Sequence, residues 1–211
     1  MRVIQPVSQT LVKRCFVVSD LLSKRTYASD SVFESALEKA LKRVLAMDDS
    51  KLDSAITDKK RLAAYGRMDW RLVSLRPHEI GVWRQAGELP HKWTHGDVSC
   101  TARHLKKSMQ KGISLAGRVG EVFPSVLDFT VYFKTNKYLF PIAFRHNNGT
   151  FGRIGAKSTF ADVDDGCMRT IAMTLAGSKQ MRFYLGTPKP GFMSWLREKG
   201  FYFKSRYAYS K

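Results

Sequence analysis

Four carboxylates and one histidine are the residues whose types and spacing suggest chemistry. Asp162, Asp164 and Asp165 fall within four positions, and Asp128 lies upstream in a stretch that alternates like a strand. Two or more carboxylates brought together can hold Mg²⁺ for phosphodiester hydrolysis, which would make the chain a nuclease. No Glu-x-Lys follows a strand aspartate, however, and Asp162 to Asp165 also sits where the start of a helix favours negative charge. His146, between Arg145 and Asn147, is the candidate for metal-free general acid–base cleavage of RNA. His91 and His95 share a loop from Pro90 to Gly96, which is not a rigid helical metal pair. No metal site is read from the sequence. The P-loop, GxSxG, HExxH, GxGxxG and kinase signatures are all absent, which removes most small-molecule enzyme classes. The reading leans towards binding rather than catalysis, with no cofactor and with Mg²⁺ only if the carboxylates act as a nuclease.

Charge points more firmly to a partner. The 211 residues carry 36 Lys plus Arg against 18 Asp plus Glu, a formal net charge of +18. Residues 1–100 hold 17 basic and 12 acidic side chains, whereas residues 101–211 hold 19 basic and 6 acidic. Such an imbalance destabilises the compact state by self-repulsion and attracts polyanions at long range. The polyanion expected is nucleic acid, RNA or DNA. Arg103, Lys106 and Lys107 crowd one expected helix. Lys134, Lys137, Arg145, Arg153 and Lys157 fall between Asp128 and Asp162, where there is no carboxylate. These eight are the expected phosphate contacts. Tyr207 and Tyr209 sit among cations in the terminal FYFKSRYAYSK, where an aromatic ring can stack on a base. Three glycines around Arg153 could bring backbone N–H groups close to a phosphate.

The elements that must position these residues follow from hydrophobic period. Phe33, Leu37, Ala40, Leu41, Val44 and Leu45 recur at helical spacing, with Ser31 and Glu34 placed as a capping box. Asp48-Asp49-Ser50 breaks that helix, and a second runs over about 51–65, giving a helix hairpin. Pro77 opens a short helix through Trp83. A basic helix spans about 97–111. From Leu127 the period changes to two: Leu127, Phe129, Val131 and Phe133, then Tyr138, Phe140, Ile142 and Phe144, then Phe151 to Ile154 after Asn148-Gly149. This pattern predicts an antiparallel meander. A helix over about 165–176, a strand at 180–185 and a short helix at 192–199 follow.

The order of elements predicts an α+β protein: a helical region over 1–112, then a basic α+β region over 113–211 with an antiparallel sheet of three to five strands and one or two helices. The two regions are expected to form one continuous domain. Three cysteines at wide spacing form no disulfide framework, which implies an intracellular, reducing compartment, cytoplasm or nucleoid or nucleus. The first 29 residues, rich in Ser, Thr and Arg, also admit a transit peptide and hence the mitochondrial matrix. No apolar run approaches the ~20 residues of a membrane span. A nucleic-acid-binding protein is the first expectation. The alternatives are a nuclease or other nucleic-acid-processing enzyme, and a structural subunit of a nucleoprotein assembly such as a virion, ribosome-like particle or polymerase complex.

Overall fold

The fold is that of a computed structural model, described over residues 1–23, 26–83, 88–94, 96–112, 117–145, 159–189 and 191. It is α+β: among these residues eight α-helices surround a six-stranded mixed sheet. The N-terminal half is largely helical, as expected. In chain order the elements are β1 (Arg2–Pro6), α1 (Gln9–Ser23), α2 (Asp30–Leu45), α3 (Asp49–Ala55), α4 (Lys59–Gly66), β2 (Met68–Leu75) and β3 (Ile80–Gly81). They continue with α5 (Val98–Gln110), α6 (Gly117–Asp128), α7 (Thr130–Thr135), β4 (Ile142–Arg145), β5 (Ala161–Asp165), α8 (Cys167–Leu175) and β6 (Met181–Pro188).

Aspartates and serines set the helix starts, because a side-chain oxygen there satisfies otherwise orphaned backbone N–H groups. Asp48 accepts from the N–H of Lys51 at 2.8 Å and Asp97 from that of Cys100 at 2.9 Å. Asp58 accepts from both Lys60 and Arg61, so the single helix expected over 51–65 is two, α3 and α4. Ser29, two residues before the expected Ser31, caps α2. Pro77 opens only one 3₁₀ turn, which passes straight into β3.

The sheet runs β1-β2-β6-β4-β5-β3 and draws strands from both halves of the chain. It is mixed rather than antiparallel, with β4/β6 and β3/β5 parallel. The crossover through α8 carries the chain from β5 past β4 and inserts β6 next to β2. Both sheet faces are covered. Met68, Trp70, Ile142, Phe144 and Tyr184 pack with Val12, Cys15 and Tyr65 in a smaller core. Val73, Leu75, Ala143, Val163, Phe183 and Leu185 face the larger core with α2, α5 and α8. Trp70 lies across Gly186, its pairing partner in β6. A Cβ there would meet the indole at 3.0 Å, so any larger residue would have to push the ring back by a few tenths of an ångström.

Two stretches depart from the expected pattern. Residues 127–134 form no strand: they end α6 at Asp128, turn at Phe129 and make most of α7. Phe129 and Phe133 are buried while Val131 between them is 57% exposed; a strand would put all three on one face. The i,i+4 pair instead faces Phe33 of α2, whose ring stacks on Phe129 at 4.3 Å. The expected strand 138–144 shortens to β4 after a 3₁₀ turn at Lys137–Leu139. At the N-terminus, the segment that admitted a transit peptide forms β1, paired with β2, and α1, whose Val12, Cys15, Val17, Val18 and Leu22 are in the two cores. The third strand of the meander at 151–154 and the helix at 192–199 lie outside the described residues.

Candidate nucleic-acid interface

Helix α5 owes its basic face to its register. Val98, Thr101, Ala102, Leu105 and Ser108 are buried against the larger core, which leaves Arg103, His104, Lys106, Lys107 and Lys111 exposed. Apart from its cap Asp97, the helix holds no acid. Arg103, Lys107 and Lys111 follow one another at i,i+4 steps, about 6 Å of rise each. None of Arg103, Lys106, Lys107 or Lys111 is in an ion pair among the described residues. Alongside runs a 3₁₀ turn, His91–Trp93, with Lys92 exposed. Thr101 Oγ1 donates to the Trp93 carbonyl at 2.9 Å and fixes that turn to the helix. The Trp93 ring lies parallel to His104, centroids 6.1 Å apart and planes within 6°.

The other expected phosphate contacts lie on later elements. Lys134 is exposed in the last turn of α7, a favourable place for a cation. Exposed Lys137 sits with its ammonium over Tyr138 at 5.2 Å, and its carbonyl accepts from Tyr184 Oη at 2.9 Å. Arg145 ends β4 with its guanidinium over Phe160 at 5.3 Å. Helices α5 and α7 both pack on α8, so the cations of these two helices flank one scaffold helix. His146, Arg153, Lys157, Tyr207 and Tyr209 lie outside the described residues.

Asp164 and Asp165 are neighbours held by different cations. The β4/β5 register slips between Ile142 and Ala143, so Asp164 is the extra residue of a bulge, and Asp165, paired with Ile142, stays close enough to add to the upward push on the Asp164 carboxyl. Asp164, almost fully buried, accepts from Arg61 Nε at 2.9 Å and Tyr65 Oη at 3.0 Å. Burial raises its carboxyl above the ordinary carboxylate range, with Arg61 pulling the other way. Asp165 holds Arg169, one turn into α8, at 2.6 Å. That guanidinium passes over Gly166, where φ is +89° and a Cβ would lie 2.7 Å from Nη2. Asp162 accepts from Thr159 Oγ1 at 3.3 Å. Asp128 ends α6 at the surface, on a helix rather than the expected strand. Among the described residues no three of His, Cys, Asp and Glu come together in a way that could hold a metal ion.

Sequence reasoning found the cations of α5 but not the tryptophan beside them, since contact between Trp93 and His104 depends on the 3₁₀ turn folding back. The Arg61–Tyr65–Asp164 network was also missed. Its signal was present in the Arg61 and Tyr65 i,i+4 spacing. Comparison with protein-family models, with curated proteins and with solved structures finds no match.

Proposed function

We propose that the protein binds nucleic acid, RNA or DNA, chiefly through its phosphate backbone, with α5 as the principal contact. The observation that carries this reading is the way charge is divided. Three of the buried or part-buried carboxylates are taken up by structural ion pairs, Asp164 with Arg61, Asp165 with Arg169 and Asp53 with the buried Lys13. The cations of α5 stay exposed and, among the described residues, without ion pairs. A helix face with four such cations over about two turns has the spacing to meet successive phosphates. Lys134, Lys137 and Arg145, exposed on later elements, are read as further phosphate contacts.

Binding of this kind weakens with salt along a log–log slope of about −0.7 per neutralised phosphate for a single strand and −0.9 for duplex DNA. A salt titration against labelled RNA, single-stranded DNA and duplex DNA, each then run on a denaturing gel with Mg²⁺ present, tests it. Tight, salt-sensitive binding with the probe intact is the expected result. Weak binding to every probe at low salt overturns the proposal.

One observation favours the structural-subunit reading as a second. Strand β1 is the edge of the sheet, and Met1, Val3 and Ile4 on and beside it are exposed. An exposed apolar edge is the surface to which another chain adds a strand. A change in mass by light scattering only when nucleic acid is present would support assembly on the nucleic acid.

A further inference from the structure

From the face of α5 we infer that the strand it takes is single, with an unpaired base stacked on the Trp93–His104 pair while Arg103, Lys106 and Lys107 hold the flanking phosphates. This rests on the nucleic-acid reading above and names the form of the ligand. His104 lies three positions before Lys107 and seven before Lys111, so its ring shares a flank of α5 with those two cations. Trp93 is half-buried against the larger core, and its turn is pinned by bonds from its own N–H to the Pro90 carbonyl at 2.8 Å and from Thr101. At 6.1 Å between centroids, the two parallel rings cover each other only in part. They form a rigid platform whose π faces a base can share.

The physical logic is that of sequence-tolerant single-strand binding. Cations track the backbone, and each base has a π face for an aromatic ring. A duplex keeps its bases stacked on one another and presents none of them to a ring lying on a helix surface. Lys92, exposed next to Trp93, adds a further cation at the edge of the platform.

The test compares a labelled single-stranded oligonucleotide, an otherwise identical strand with abasic sites, and a duplex of equal length. Trp93→Leu is expected to weaken binding of the base-bearing strand about tenfold, within the range for one stacked base, and to leave the salt slope unchanged. On the abasic strand the same substitution is expected to change nothing. His104→Ala removes an exposed side chain and should weaken the base-bearing strand in the same direction, which keeps the test valid if Trp93→Leu fails to fold. Lys106→Ala with Lys107→Ala should weaken both strands and lower the salt slope by about 1.4. If His104→Ala and Trp93→Leu bind the base-bearing strand as the parent does, or if the duplex binds more tightly than the single strand, the platform is refuted while nucleic-acid binding stands. If no probe binds with salt sensitivity, the nucleic-acid reading falls and this inference with it.

Discussion

Asp164 shows how a residue with catalytic credentials is claimed by structure. Its carboxylate is buried and accepts from Arg61 and Tyr65, so it joins α4 to β5 across 103 residues of chain. Breaking a buried pair leaves an uncompensated charge, at a cost of about 3–5 kcal/mol. Asp164→Ala should therefore lower stability by about 3 kcal/mol in urea denaturation while leaving oligonucleotide binding of the folded protein unchanged. A variant that folds with parent stability would refute the structural role. The thiols give a pH prediction at the same scale. Burial pushes Cys15 and Cys167 up from 9.0 to about 12. With the folded value raised, the unfolded chain loses these protons first. The stability they contribute is complete below about pH 9 and is lost as pH rises from 9 to 12. Replacing Cys15 with Ala should flatten the alkaline limb of the pH–stability curve. An unchanged limb would mean that the thiol does not titrate in this way.

Among the elements, α7 tests the fold most sharply. Phe129 and Phe133 join Tyr27, Phe33 and Tyr132 in an aromatic cluster, and Tyr132 Oη donates to Glu34 at 2.7 Å. Phe129→Ala should cost about 3–5 kcal/mol, whereas Val131→Lys on the exposed side should stay within about 0.5 kcal/mol. Equal and large losses would restore the strand. The helices with a strong amphipathic period, α2, α5 and α8, were legible in the sequence, as was β6; α2 and α5 also carry a capping side chain. The stretch 127–134 was not. Its apolar residues satisfy both periods over so short a run, and the choice is made by Phe33, nearly a hundred residues away. Strand β2 was hidden for a different reason. It buries Met68 and Trp70 on one face and Val73 and Leu75 on the other, so no single alternation runs its length. Helix α1 was passed over because its basic, serine-containing segment also fits a targeting sequence, and only burial of Val12, Cys15 and Val18 separates the two. At the site, the cations were legible as charge density on one helix face. The aromatic platform was not, because it is made by a turn 11 residues upstream.

For the molecule as a whole, charge is the governing quantity. Strands from both halves of the chain share one sheet, with β6 at the junction between β2 and β4. No helix among the described residues is long and apolar enough to cross a membrane. A net charge of +18 would draw the chain towards any polyanion, and general attraction differs from a site only in where the charge must be. Helix α2 supplies the control, since Lys39, Lys42 and Arg43 are also exposed on a helix. The decisive measurement is the log–log salt dependence of single-strand binding for Arg103→Ala/Lys106→Ala/Lys107→Ala against Lys39→Ala/Lys42→Ala/Arg43→Ala. Each variant loses three cations. The α5 variant should lose about two from the slope, at about 0.7 per phosphate, while the α2 variant keeps the parent slope. Equal losses in the two variants would contradict it and leave only diffuse attraction.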